Sequence, residues 1–194
     1  EARQLTTDSD TYKYGPVWSP DSKHLAWGDK KNRLQFVTVE TKVVTLIAQS
    51  ESWEIHDFAW APDSQWLTFT KPEARRFPNI YLYGLEAANT VQVTDGWFAV
   101  GSPEFSSDGK YLFFVSARSF NPTYGSTEWN HIYSDLQRLY LVTLAKDAKS
   151  PIAPKSDEVK IKEEKPEEKP KDTPPDVKSD EKEARKDDAK PEDK

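Results

Sequence analysis

Histidine, carboxylate and aromatic side chains are the residues of this sequence whose chemistry would serve catalysis or binding. The chain has three histidines, His24, His56 and His131, and no cysteine. No two histidines have the spacing that metal ligands usually show, and without cysteine there is no thiolate nucleophile. His131 and Asp135 are four residues apart, but no nucleophile accompanies them in a known context. We therefore predict no catalytic residues, no metal site and no cofactor in this chain.

The common catalytic and phosphate-binding motifs are also missing from the sequence. It contains no Gly-x-Ser-x-Gly nucleophile elbow, no glycine-rich phosphate loop and no His-Glu-x-x-His zinc motif. With only 7 glycines in the chain, a loop that cradles phosphate is not expected. These absences favour a binding or structural role for the segment over catalysis.

One irregular segment, residues 119–137, is rich in side chains that could bind a ligand. Its aromatic and imidazole side chains are Phe120, Tyr124, Trp129, His131 and Tyr133. Long loops in compact domains are usually functional or disordered, and this one is too aromatic for disorder. What it does depends on the elements that hold it in place.

Those elements belong to an internal repeat. The aligned segments are 16–27, 57–69 and 103–114. Their matched aromatic residues, Trp18, Trp60 and Phe105, are 42 and 45 residues apart. A period of about 40 to 45 residues is typical of the four-stranded blade of a β-propeller.

Each repeat unit also has the composition of four short strands. In the second unit the strand-like runs are 58–61, 66–70, 79–85 and 90–94. Such runs, rich in Val, Thr, Tyr, Phe and Trp and bounded by Pro, Asp, Asn and Gly, favour strands. We predict an all-β fold, a β-propeller portion of about three four-stranded blades at residues 8–50, 51–96 and 97–150, with the completeness of the third left open. Because propellers typically close with four to eight blades, we expect the propeller to be incomplete.

A turn motif follows the matched aromatic residue in each unit. Its residues include Pro20 and Asp21, Pro62 and Asp63, and Asp108. Proline presets φ for the first corner of a tight turn, and Asp can accept a hydrogen bond from the backbone two residues on. We expect the motif to close a hairpin between the first and second strands. The aromatic residue before it is expected to be buried between neighbouring sheets.

The propeller prediction places the aromatic loop 119–137 between the second and third strands of the third blade. In a propeller, such loops lie on the face that also carries the connections between blades, around one mouth of the central channel. Tyr124, Trp129 and His131 are therefore candidates for ligand contact at the channel mouth. The alternative is that the loop aromatics pack the loop onto its own or an adjacent blade.

The last part of the chain has a different composition. Residues 151–194 contain no aromatic residue and hold 27 charged residues among 44. Such a segment cannot bury enough apolar surface to offset the entropy of ordering, so we expect residues 151–194 to be disordered. The net charge of −6 and the lack of a basic block in residues 1–150 argue against nucleic acid as a partner, and no apolar run is long enough for a membrane span.

The repeat resembles the propeller repeats of TolB-type proteins, prolyl-oligopeptidase-type peptidases and tricorn-like proteases. The third unit is most similar to the tricorn-like serine proteases. The runs that carry this resemblance are 116–122, 128–131, 138–144 and 154–158, and residues 159–194 look like the charged insertion that often follows them.

This resemblance implies a non-catalytic segment of a tricorn-like serine protease, which guides or sieves peptides toward a peptidase domain that this chain does not contain. Tyr124, Trp129 and His131 then become candidates for peptide contact. The alternatives are a TolB-like interaction propeller without enzymatic activity and the propeller lid of a prolyl-oligopeptidase-type peptidase. The resemblance favours a periplasmic or otherwise exported protein, leaves a cytoplasmic one open, and is compatible with a homo-oligomer of the full-length protein.

Overall fold

The repeat units fold into consecutive antiparallel sheets in a computed structural model that describes residues 2–7, 9–127 and 129–155. The first sheet contains β1 (Lys13–Trp18), β2 (His24–Asp29), β3 (Arg33–Thr38) and β4 (Val44–Gln49). The second contains β5 (Phe58–Trp60), β6 (Trp66–Lys71), β7 (Asn79–Gly84) and β8 (Asn89–Gln92). In both sheets the strand order follows the chain.

The third sheet has three strands among the described residues. They are β9 (Val100–Phe105), β10 (Tyr111–Ala117) and β13 (Gln137–Thr143), with β10 in the middle. Between β10 and β13 the chain forms a separate hairpin of β11 (Pro122–Tyr124) and β12 (His131–Tyr133). The described residues contain no helix, and hence none that could span a membrane. The prediction of an all-β propeller is confirmed. Disorder is predicted for residues 151–194, and the part of that segment beyond residue 155 lies outside the described residues.

The turns between the first and second strands of the three sheets share one hydrogen bond. The side chains of Asp21, Asp63 and Asp108 each accept a hydrogen bond from the backbone N–H two residues on, at 3.0, 2.9 and 3.1 Å. The residue after each aspartate has a positive φ, 61° at Ser22, 60° at Ser64 and 68° at Gly109. The turn chemistry thus fixes the backbone at one end of every sheet.

Two apolar clusters join the sheets in sequence. Trp60 is 7 % exposed and packs with residues of the first two sheets, and its Nε1 donates a hydrogen bond to the Val17 carbonyl at 3.1 Å. Phe105 is 9 % exposed and packs in the cluster between the second and third sheets. The expectation that Trp18 is buried is wrong in this structure, because its side chain is 51 % exposed. Trp60 and Phe105 each pack against the sheet that precedes their own, whereas no described sheet precedes that of Trp18.

The two ends of the sheets therefore differ in their connections. We call the end that carries the aspartate turns the turn end. The opposite end, the loop end, carries the connections between sheets and those between second and third strands, namely 30–32, 50–57, 72–78, 93–99 and 118–136. These connections touch one another, since the Ser50 hydroxyl donates a hydrogen bond to the Pro72 carbonyl at 2.9 Å and the Arg118 guanidinium lies 5.5 Å from the Phe98 ring.

Candidate functional site

The hairpin of β11 and β12 projects from the loop end of the third sheet. Its strands pair in register from Pro122 with Tyr133 to Tyr124 with His131. The Gly125 N–H donates to the Asn130 carbonyl at 2.8 Å and closes the turn. A Cβ at Gly125 would lie 3.0 Å from the Ile132 side chain and 3.2 Å from the Asn130 carbonyl. Glycine therefore lets the two strands approach closely.

The structure brings the three candidate residues of the loop together. The Tyr124 ring lies 6.0 Å from the Trp129 ring and 6.0 Å from the His131 ring, in both cases edge to face. The Tyr124 side chain is 59 % exposed and that of Trp129 is 74 % exposed. Such an arrangement presents a cluster of π faces and one imidazole to solvent, which suits stacking on apolar or cyclic groups of a ligand.

Two further aromatic residues extend this surface. Phe120 and Tyr133 have ring centroids 5.9 Å apart and are 79 % and 53 % exposed. Neither of the two apolar core clusters includes a residue of the hairpin. We call the surface formed by Phe120, Tyr124, Trp129, His131 and Tyr133 the aromatic hairpin.

The histidines occupy unrelated surroundings. His24 stacks on Trp60 with ring centroids 5.9 Å apart, and burial lowers the pKa of His24. His56 lies at the loop end, where its Nε2 is 3.2 Å from a Glu54 carboxylate oxygen. His24 is therefore part of the packing between sheets, while His56 and Glu54 form a polar pair that sequence reasoning missed.

His131 and Asp135 make separate contacts in the part of the chain that the structure describes. Asp135 has a φ of 55°, and its carbonyl accepts a hydrogen bond from Arg138 at 2.8 Å. Over residues 2–7, 9–127 and 129–155, no hydrogen bond joins the imidazole of His131 to the carboxylate of Asp135, and no group of three or more His, Cys, Asp and Glu side chains could hold a metal ion.

A second exposed group at the loop end was also missed from the sequence. Arg75, Arg76 and Phe77 follow the second strand of the second sheet, and Trp97 lies in the connection to the third sheet. The side chains of Phe77 and Trp97 are 52 % and 76 % exposed. The available signal was a pair of adjacent arginines followed by an aromatic residue in a connection.

A cavity of about 530 Å³ lies at the turn end, between the second and third sheets. Its lining includes Trp66, Leu82, Phe105 and Gly109. At the corresponding place between the first two sheets, the Ser64 hydroxyl accepts a hydrogen bond from the Asp21 N–H at 3.0 Å. Gly109 stands where Ser64 does in its own turn, and no atom lies within 4 Å of the place where its Cβ would be. Gly109 thus contributes no side chain to this cavity and leaves its part of the wall open.

Comparison with known proteins gives a consistent picture. A family described as the tricorn protease second beta propeller domain matches residues 1–187. The chain is similar to the tricorn-like protease C-terminal subunit of Sulfurisphaera tokodaii, with 32 % identity over 127 residues, covering 66 % of this chain and 15 % of that protein. It is also similar to tricorn protease homolog 1 of Streptomyces coelicolor, with 30 % identity over 136 residues, covering 70 % of this chain and 13 % of that protein. The chain thus spans less than a sixth of the length of these relatives.

Two solved structures share the fold. The crystal structure of the tricorn protease superposes with a TM-score of 0.70 at 18 % identity, covering 75 % of this chain and 15 % of that one. A TolB protein from Agrobacterium tumefaciens superposes with a TM-score of 0.50 at 20 % identity, covering 72 % of this chain and 48 % of that one. At such identities the likeness concerns the fold alone.

Proposed function

This chain belongs to the family of the tricorn protease second β-propeller domain, and on that premise we propose that it is a non-catalytic propeller segment of a tricorn-like serine protease that degrades peptides. Its role is to guide or sieve peptides toward a peptidase domain elsewhere in the whole protein. The observation that carries this role is the aromatic hairpin, which exposes its rings at the end of the sheets where the connections are long.

The physical case rests on where the aromatic side chains lie. Aromatic rings buried between sheets stabilise the fold, and those of Trp60 and Phe105 are buried in this way. An exposed ring such as that of Trp129 gains no such burial, so its area stays available for contact with a ligand. Tyr and Trp are also enriched at binding surfaces, since they offer a large contact area at a low entropic cost.

The alternative of a TolB-like interaction propeller is favoured by one observation, the shared fold at a TM-score of 0.50. In this alternative the hairpin would contact a protein partner. The two proposals differ in what the whole protein does to peptides, because only the first expects peptide hydrolysis that depends on the hairpin.

The test uses Trp129→Ala and His131→Ala in the whole protein, with one short and one long peptide substrate. We expect KM to rise for the long peptide and turnover of the short peptide to stay near that of the unaltered protein, because a short peptide needs less guidance. The control is Lys23→Ala, which removes a side chain that is 75 % exposed at the turn end and should change neither constant.

Two outcomes would overturn the proposal. An equal loss for both peptide lengths, together with a lower melting temperature, would show that the hairpin serves packing only. Hydrolysis of neither peptide by the unaltered protein would favour the interaction propeller.

A further inference from the structure

A cleft at the loop end lies between the connection that precedes β7 and the connection that precedes β9. One cavity of about 460 Å³ is lined by Arg75, Arg76, Phe77 and Trp97 together with Ala74 and Gly96. A neighbouring cavity of about 300 Å³ shares Arg76, Gly96 and Trp97 and adds Asp95. We call the two cavities together the Arg–Trp cleft.

The arginines of this cleft have no carboxylate partner among the described residues. Glu73 is close to them in sequence, but its carboxylate accepts a hydrogen bond from the Tyr81 hydroxyl at 2.9 Å and lies 3.2 Å from the Lys71 ammonium. Burial, followed by this hydrogen bond to Glu73, raises the pKa of Tyr81 to about 12, so the phenol stays a donor. The carboxylate of Glu73 is therefore paired with Tyr81 and Lys71 of its own sheet and not with the arginines.

Asp95 is the one acidic residue in the lining, and it belongs to the smaller cavity. Its carboxylate accepts a hydrogen bond from the Trp97 N–H at 3.2 Å. The larger cavity is lined by two arginines and no acidic residue. A negative charge in the larger cavity would therefore face an excess of positive charge.

The wall that carries Trp97 is held by buried polar contacts. Asn79 is 3 % exposed, and its side-chain oxygen accepts a hydrogen bond from the Thr94 hydroxyl at 3.0 Å. The same hydroxyl accepts a hydrogen bond from the Ile80 N–H at 3.0 Å. Gly96 has a φ of 77°, and a Cβ there would lie 3.0 Å from the Asn79 amide nitrogen. The indole is therefore presented from an ordered turn, which lowers the entropic cost of binding a ligand.

We propose that the Arg–Trp cleft binds an acidic side chain of an extended peptide, with Arg75 and Arg76 on the carboxylate and with Trp97 and Phe77 on the neighbouring residues. The guanidinium group matches a carboxylate with two parallel hydrogen bonds, and Trp and Arg are the side chains that most often dominate binding surfaces. Two adjoining cavities give an extended chain room on both sides of the acidic residue, which a terminal carboxylate would not need. This inference rests on the proposed function, since it requires peptides to reach the loop end.

The experiment measures peptide binding to the whole protein by titration calorimetry. The probe is an acetylated and amidated octapeptide of Ala, Gly and Leu with one central Glu, compared with the same peptide carrying Gln. We expect the Glu peptide to bind about tenfold more tightly or better, the size of one or more hydrogen bonds to a charged group. The double arginine variant described next separates a local preference for Glu from non-specific attraction by the rest of the protein.

The decisive variant is the double substitution Arg75→Gln and Arg76→Gln, which should abolish the preference for Glu. Trp97→Ala should weaken binding of both peptides, because it removes contact area and leaves the charges in place. Lys23→Gln at the turn end is the matched control and should keep the preference. Thermal unfolding of each variant, expected near that of the unaltered protein, excludes a loss of fold.

Three outcomes would overturn the inference. Equal binding of the Glu and Gln peptides by the unaltered protein and by the double variant would reject the cleft while the proposed function stands. Binding of neither peptide would reject the proposed function with it. If the Gln peptide with a free C-terminus binds as tightly as the Glu peptide and depends on the two arginines, the cleft takes a terminal carboxylate, and the assignment to an internal side chain is wrong.

Discussion

The turn end and the loop end of the sheets are built from the same repeat, but the turns are alike in all three sheets and the connections at the loop end are not. At the turn end an Asp at the equivalent position of each turn accepts a hydrogen bond from the backbone, and the next residue has a positive φ each time. At the loop end the connections between second and third strands differ in length and content, from 30–32 in the first sheet to 118–136 in the third. A backbone fixed by its own hydrogen bonds tolerates little change, whereas a solvated connection can vary and acquire contacts.

The aromatic side chains show the consequence of this difference. Trp60, which precedes the turn of the second sheet, is 7 % exposed, whereas Trp97 and Trp129 at the loop end are 76 % and 74 % exposed. Trp60, packed against the neighbouring sheet, therefore stabilises the fold, whereas Trp97 and Trp129 are available for binding. Substitutions at both ends of the sheets test this difference.

The largest effect is expected for Trp60→Ala. Removing a buried indole leaves a cavity between the first two sheets and frees the Val17 carbonyl that Nε1 bonds, so the free energy of unfolding should fall by about 3 to 5 kcal/mol. Trp129→Ala, at the loop end, should change it by less than about 0.5 kcal/mol. Chemical denaturation of the whole protein measures both, and a change below about 1 kcal/mol for Trp60→Ala would show that the packing described here does not carry the stability.

A smaller effect is expected for Ser64→Ala at the turn end. The Ser64 hydroxyl is the acceptor for the Asp21 N–H of the neighbouring sheet, and its loss leaves that donor unpaired at a cost of about 1 to 2 kcal/mol. Ser22→Ala is a matched control, because Ser22 has a φ of 61° against 60° for Ser64 and its side chain is exposed. Equal destabilisation by both variants would show that the loss of free energy of unfolding comes from the turn backbone, and that the hydrogen bond between sheets does not contribute.

The smallest effect is expected on the loss of folding stability at low pH. Hydrogen bonds from the Ser19 and Ser106 hydroxyls, then from backbone N–H groups, lower the pKa values of Asp21 and Asp108 below 3.8. The folded state therefore binds fewer protons than the unfolded state. The resulting stabilisation is fully present above about pH 4 and is lost as the pH falls through the lowered pKa values. Unfolding curves between pH 2 and 6 measure this loss, and the double variant Asp21→Asn, Asp108→Asn should show a shallower one. An unchanged slope would mean that these turns do not contribute to acid sensitivity.

The sequence alone determined the repeat and its turns. Spacings of 42 and 45 residues between matched aromatic residues predict propeller blades, and the Asp side chains act on backbone atoms only two residues away. Such features depend on neighbours along the chain, so they can be inferred without coordinates. The aromatic loop 119–137 could likewise be located because it interrupts a regular pattern, and its residues Tyr124, Trp129 and His131 could be named.

Which of these side chains meet and which stay exposed depends on the packing of the folded chain. The hairpin inside the loop sets the Tyr124 ring against those of Trp129 and His131, a result of strand pairing over an irregular segment. Trp18 is exposed although its repeat position matches that of Trp60, because burial depends on the sheet packed against a residue and not on its local pattern. The Arg–Trp cleft joins Arg76 to Trp97, 21 residues apart in the chain. Contacts of this kind follow from how sheets pack against each other, and no local spacing encodes them.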